Sequence, residues 1–494
     1  MSKRLPIFYS ALLLTGVNLL LRLVGTSFQA YLSGKIGASG IGLLQLVLSV
    51  GTMAMVAGTA GIRTSTMYLT AEELGKGRPR NVTWVLSACT RYSLICSCGV
   101  SLGIYIFSPQ IAEHWIGDMQ ALPALRIYSV FLPVNCLCGM MVGYFTAANR
   151  IGTLAAVEVA EQICTIVVTI LLLTFWAGSD PGKACLTVVM GSGIGSYLTL
   201  ICLIVLRILE KSKCGPRIPV AKRLTGIAVP LALSDDLRTG ITTLENLMVP
   251  KRLALCPHVQ APLAAFGTVC GMVFPVLMFP AAILFGLTEL LVPELARCNA
   301  AGSRQRIQYL VKKSLRVAML YGILCGGILY LSADTLCNLL YRSEDAGQYL
   351  RWFSLLAVML YCDAVTDAMI KGLGQQQASV RYNIFTSAMD VAFLYVLLPR
   401  YGIVGYYMSF LITHVINFCL SLQRLLKISQ LKIPLHIPIL TVAAAPIAVF
   451  AASYVSQPIL RAGAFSILLF CLLYLMRIIR KEDILWMKDI IRKK

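Results

Sequence analysis

The stretch 224–249 constrains this chain more than any other. It is long enough to cross a bilayer, yet it carries Asp235, Asp236, Arg238 and Glu245. A crossing helix needs about 20 residues, and each mid-membrane charge costs roughly 2.5–3.5 kcal/mol on insertion scales, about 10–14 kcal/mol for four. The ten Leu, Ile and Val residues of the stretch return only about 3–6 kcal/mol, at roughly 0.3–0.6 kcal/mol each. Such a helix cannot lie alone in lipid. Its charged side must face protein or a water-filled interior, and the function of the chain turns on what that interior handles.

At about 100° per residue, Thr242 and Glu245 each fall within about 40° of Arg238, and Asp235 lies about 60° from Arg238. One polar stripe results, with Asp235 and Arg238 expected as a local pair. Asp236 points nearly opposite Glu245 and needs a separate partner. Pro230 removes a backbone hydrogen bond and Gly240 loosens the middle, so the helix is expected to bend.

The whole chain supports a membrane setting. Its 494 residues are 58% hydrophobic and 13% charged, with a mean hydropathy of +0.77, against about 45–50% apolar and about 25% charged for a soluble protein. This is an all-α, polytopic membrane protein. Apolar runs bounded by charges or Gly/Pro turns give about fourteen crossings. They lie at 7–31, 41–70, 82–107, 123–147, 155–177, 184–208, 224–249, 262–292, 308–331, 349–371, 380–398, 403–426, 437–455 and 459–479. An even number puts both termini on one side. With the N-terminus cytoplasmic, the inner segments hold several times as many Lys and Arg residues as the outer loops, which places both termini in the cytoplasm of a plasma-membrane protein.

The net charge of +21 is therefore mainly a topology signal, strengthened by attraction to anionic membrane lipids. No compact basic domain exists to bind nucleic acid. The seventeen cysteines lie almost entirely within crossings, where Cys is a small packing residue. Without a Cys-x-x-Cys pair or a His-x-x-x-His, no metal site is expected. No cofactor motif and no nucleophile–base spacing is present, so no catalytic residue is assigned and an enzyme is the least favoured class.

Weak internal matches recur at an offset of about 220 residues: Lys3-Arg4-Leu5 with Lys222-Arg223-Leu224, Glu73-Leu74 with Glu294-Leu295, and Arg150 with Lys371. They suggest two parallel copies of a six-helix bundle, as in transporters with a site between the copies. The expected organisation is 1–220 for the first bundle, 221–430 for the second, 431–480 for two further helices and 481–494 for a basic amphipathic cytoplasmic tail.

Within the crossings, Arg22 sits near the centre of the first, beside Asn18, and a mid-membrane guanidinium should face inward and meet an anion. Arg63 and Arg238 are the other candidates for an anionic substrate group. Asp363, Asp367 and Lys371 follow at steps of four on one face, with Asp367 placed to pair with Lys371. Asp390, His414 and Asn417 lie in the next two crossings. Asp235, Asp236, Glu245, Asp363, Asp367, Asp390 and Asn18 are the candidates for ion coupling or for polar lining of a cavity, with Na⁺ and H⁺ both open as coupling ions.

Several runs carry a family resemblance. Residues 361–376 read Tyr361-Cys362-Asp363-Ala364-Val365-Thr366-Asp367-Ala368-Met369-Ile370-Lys371-Gly372-Leu373-Gly374-Gln375-Gln376. With Arg381-Tyr382-Asn383-Ile384, Leu398-Pro399-Arg400-Tyr401-Gly402, Glu245-Asn246-Leu247-Met248-Val249-Pro250-Lys251-Arg252-Leu253, Phe279-Pro280 and Leu291-Val292-Pro293, this resembles the stage V sporulation protein B family. That family belongs to the polysaccharide-exporter and lipid-flippase branch of the superfamily that also contains the MATE drug exporters. The resemblance implies two six-helix bundles around a central cavity. It also implies movement of a lipid-linked saccharide, a peptidoglycan or polysaccharide precursor, from the inner to the outer leaflet during envelope or spore-cortex assembly, with cell-wall synthesis enzymes as further partners.

The chain departs from similar precursor flippases in its first crossing. Where they carry Ser-Arg-x-x-Gly-x-x-Arg-Asp, it reads Leu21-Arg22-Leu23-Val24-Gly25-Thr26-Ser27-Phe28-Gln29. Where the sporulation family usually places an acid, it has His414. The alternative reading is a cation-coupled MATE-type multidrug exporter, favoured by the number of acids in the crossings. A scaffold for wall-synthesis enzymes is a third.

Overall fold

In the computed structural model, residues 5–177, 180–209, 220–431 and 436–476 are described. Among them all regular structure is helical, as a membrane interior demands: without water, each backbone N–H and C=O must be satisfied inside its own segment. The expected tail at 481–494 lies outside the described residues.

Contacts sort the chain into two compact units. The first comprises residues 1–271 with 394–402. It holds α1 (Leu5–Thr59), α2 (Ile62–Gly75), α3 (Val82–Gln110), α4 (Leu122–Ala147), α5 (Ile151–Leu172), α6 (Pro181–Leu209), α7 (Ala221–Leu253) and α8 (Pro262–Thr268). The second comprises 272–393 and 403–494. It holds α9 (Phe274–Met278), α10 (Ala281–Ala300), α11 (Arg304–Tyr341), α12 (Glu344–Ser354), α13 (Ala357–Gly372), most of α14 (Gln376–Ser429), α15 (His436–Ser453) and α16 (Pro458–Leu475). α7, expected to open the second bundle at residue 221, falls within the first compact unit.

Eight helices among the described residues are long and apolar enough to cross a membrane, and ten spans result when two bent helix pairs are each taken as one. This test does not establish the expected count of fourteen, because four of the expected crossings are not counted separately. Two of them fall within α1 and α14, each a pair of rods joined at a glycine outside helical geometry, Gly37 (φ 69°, ψ 177°) and Gly402 (φ 57°, ψ −133°). A positive φ of this kind is strained for any residue with a Cβ. The remaining two are α7, whose charges lower its apolarity, and α15, whose apolar part is the short Leu440–Ser453.

Small residues set the packing in the first unit. On α6, Gly191 and Gly195 lie one turn apart, and a Cβ on them would sit 2.1 Å and 2.2 Å from the hydroxyl oxygens of Thr169 and Thr165 on α5. A Cβ on Gly193, between them, would sit 2.2 Å from the nearest atom of the Phe131 ring of α4. Three alternate glycines thus let α6 approach two neighbours at once, the small-residue packing of membrane helices.

In the second unit, Gly322 and Gly326 of α11 bring it against the backbone of Val358 and Ser354, and Gly327 receives the Phe465 ring of α16. The break between α9 and α10 at Phe279-Pro280 is closed by two tyrosines. Tyr361 donates to the Leu277 carbonyl at 2.7 Å and Tyr321 to the Pro280 carbonyl at 2.8 Å. These carbonyls are thereby satisfied at a point where proline interrupts the helix ladder.

Gly193→Val should force the Phe131 ring out of place and destabilise the protein by about 1–3 kcal/mol, the usual range for overpacking. Thermal unfolding in detergent checks this against Gly99→Ala, a position where an added Cβ meets nothing within 4 Å and no loss is expected.

Candidate functional site

The first unit anchors α7 along its length. Near its start, Arg223 pairs with Glu72 and reaches Glu73 at 3.8 Å. Glu73 is buried and also accepts from the Asn81 amide at 3.0 Å. Further along, Thr243 donates to the Ser49 carbonyl at 3.2 Å and the Asn246 amide to the Ser49 hydroxyl at 3.0 Å. Near the other end, Lys251 donates to the His114 carbonyl.

Between these anchors lie the charges that made the stretch anomalous. Asp235 and Arg238 are exposed, and Asp236 and Glu245 half-buried. Asp235 and Arg238 do not form the expected ion pair, and Arg238 makes none with any described residue. Both side chains extend outward, where holding two mobile groups together returns little. Asp236 interacts electrostatically with Asp235 and with Tyr92 of α3. One of its carboxylate oxygens is buried without a hydrogen bond.

Of the other cations in this unit, Arg63 on α2 is exposed, interacts electrostatically with Glu158 and forms no ion pair with a described residue. Arg22 on α1 is half-buried. The Asn18 side chain lies outside the described residues. A cavity of about 450 Å³ between α1 and α3, lined by Val50, Met53, Ile104, Phe107 and Trp115 among others, includes none of these polar candidates.

The second unit contains a connected polar network. Asp363 on α13 accepts from the Asn417 amide at 3.0 Å on each oxygen. The same amide group reaches the Asn383 oxygen at 3.3 Å, and its own oxygen accepts from Thr386 at 3.4 Å. Asp390 accepts from Ser409 at 2.6 Å and Thr413 at 3.2 Å. Between the two acids stands His414, with Nδ1 3.5 Å from Asp363 and an electrostatic interaction with Asp390. Asp367 pairs with Lys371 at 2.6 Å and accepts from Ser379. Three helical segments, α13 and the two rods of α14, are held together through these groups.

The sequence reading named Asp363, Asp367, Asp390, His414 and Asn417, but not Ser379, Asn383, Thr386, Ser409 or Thr413. The signal was present as two stripes. Ser379, Asn383, Thr386 and Asp390 share a face at steps of four and three, and Ser409, Thr413 and Asn417 follow at steps of four.

Asn417→Ala would strip both Asp363 oxygens of their amide donor. A loss of about 1–3 kcal/mol in stability is expected for an uncompensated buried acceptor, checked by thermal unfolding. Cys419→Ala, at an exposed position two residues on, should leave the midpoint in place.

No family model matches the sequence. It is 20% identical over 460 residues to stage V sporulation protein B of Bacillus subtilis (strain 168), covering 90% of this chain and 88% of that protein. It is 21% identical over 281 residues to sporulation protein YkvU of the same organism, covering 54% of this chain and 61% of that one. Among solved structures, the inward closed conformation of the lipid II flippase MurJ superposes with a TM-score of 0.70 at 13% identity, covering 95% of this chain and all of that one. An inward-facing multidrug resistance MATE transporter of the MOP superfamily superposes with a TM-score of 0.68 at 15% identity, covering 85% of this chain and all of that one. The chain has the fold of the MOP-superfamily transporters, and along nine-tenths of its length its sequence resembles stage V sporulation protein B.

Proposed function

We propose that the chain is a flippase that moves a lipid-linked saccharide, a peptidoglycan or polysaccharide precursor, from the inner to the outer leaflet by alternating access. The observation that carries this reading is the unequal treatment of charge. Asp363, Asp367 and Asp390 of the second unit are engaged with neighbouring side chains, while Arg238 and Arg63 of the first form no ion pair with any described residue. An exposed guanidinium within a membrane protein suits a pyrophosphate, which it can bind by paired charge-assisted hydrogen bonds. Arg22 is the third member of that anion site, and the polyprenyl tail would stay in lipid.

Further support comes from the similarity to stage V sporulation protein B and from the fold shared with MurJ. The cell-envelope role, the two six-helix bundles with two added helices, the cytoplasmic position of both termini and any contact with wall-synthesis enzymes belong to the same proposal. Coupling to Na⁺ or H⁺ belongs to the same proposal. The multidrug-exporter reading needs free acids facing a cationic substrate. Asp235 meets that description, whereas Asp363, Asp367 and Asp390 are taken up by their own network.

Arg238→Ala and Arg22→Ala should each lower translocation of a polyprenyl-pyrophosphate-linked disaccharide in proteoliposomes by about tenfold or more, the worth of a hydrogen bond to a charged group. Arg238→Lys should recover part of the rate. Unchanged translocation in both alanine variants would overturn the assignment.

A further inference from the structure

We propose that His414 is the proton-binding group of the second unit, held between Asp363 and Asp390, and that proton exchange at its imidazole, in place of a bound metal cation, drives the transport cycle. This rests on the flippase reading for what is transported, but the proton site itself stands on geometry.

The Nδ1 atom of His414 is buried and makes no hydrogen bond, and it lies 3.5 Å from a carboxylate oxygen of Asp363. A bare nitrogen lone pair turned toward that oxygen would be repelled, whereas an N–H there is attracted. The ring packs on Phe410 with centroids 4.2 Å apart, which fixes its plane. Asp390, on the first rod of α14, interacts with the same imidazole electrostatically. The Nδ1–H can belong to the neutral ring; a second proton on the other ring nitrogen would give His414 one positive charge beside two buried acids, from within the protein.

The donors already aimed at the acids leave a metal ion poorly served. The Asn417 amide is oriented by three neighbours: its nitrogen faces both oxygens of Asp363 and the Asn383 oxygen, and its own oxygen receives Thr386. That orientation presents N–H groups, which repel a cation. Ser409 and Thr413 likewise direct their hydroxyl protons at Asp390. Imidazole is the ordinary side chain that changes charge within the physiological pH range, and the His414 side chain is 29% exposed, enough for water to deliver and remove the proton.

Other titratable groups on the facing elements are accounted for. Asp367 and Lys371, further along α13, pair with each other at 2.6 Å, and Cys362 adjoins Asp363. The step is a simple exchange: the proton moves between water and the imidazole, and no other bond is made or broken. With the proton bound, one positive charge is shared by the acids that α13 and the first rod of α14 contribute. Without it, the two buried carboxylates keep only their neutral donors, Asn417 for Asp363 and Ser409 and Thr413 for Asp390, which loosens the hold on the rod that carries His414.

The chain has four histidines, so ¹⁵N-imidazole NMR of the full-length protein in nanodiscs is tractable, with His414→Gln assigning the signal. The His414 signal should pass from the neutral to the protonated form as the pH is lowered, Asp363→Asn should alter that response, and exchanging K⁺ for Na⁺ should leave it unchanged. An imidazole that stays neutral throughout, or one whose proton Na⁺ displaces, overturns the proposal. In proteoliposomes, an imposed proton gradient should speed translocation of a polyprenyl-pyrophosphate-linked disaccharide by the wild type and have no effect on His414→Gln. An equal response in the two proteins would overturn the coupling role. A wild type that moves none of this lipid counts against the flippase reading, while the NMR titration still decides the proton site.

Discussion

Asn417 reaches both oxygens of Asp363 and accepts from Thr386, and through that one amide α13 is tied to both rods of α14. The arrangement follows from the environment. In a membrane interior a polar group with no partner costs more than in water, so buried acids persist where several donors converge on them. Asp390 obeys the same rule through Ser409 and Thr413, and Asp367 through Lys371 and Ser379.

The first unit treats charge differently. α7 is fixed near both ends and in its middle by Arg223, Thr243, Asn246 and Lys251, yet Arg238 between those anchors has no ionic partner among the described residues. A helix that burdens itself with an exposed, unpaired guanidinium gives up insertion energy for which the fold offers no return. On the proposed reading, an anionic ligand supplies one. The contrast between the acids engaged in the second unit and Arg238 and Arg63 in the first is what that reading rests on.

Much of this was readable from local spacing. The helical fold followed from apolar runs, and the Asp367–Lys371 pair from a separation of four on one helix face. The same reasoning failed for Asp235 and Arg238, because a separation of three suggests a pair only if both side chains turn toward each other, and exposure removes the incentive. The hydroxyl and amide donors of the second unit were harder to see. Ser409 and Thr413 look neutral within an apolar run, and their importance appears only when Asp390, 19 and 23 residues away, is brought beside them. The partner of Asp363 lies 54 residues along the chain. Crossing boundaries were blurred for a related reason: Gly37 and Gly402 turn the chain without interrupting its apolar character. His414, visible in the sequence as a departure from the resembling family, acquires its meaning from the two acids that flank it.

The central claim is that the substrate is a lipid-linked saccharide. Its most direct test is to deplete the protein in its native cell and measure polyprenyl-pyrophosphate-linked saccharides in each leaflet. The account requires such an intermediate to accumulate on the cytoplasmic leaflet. An unchanged lipid-linked pool, together with loss of efflux of cationic compounds, would contradict it.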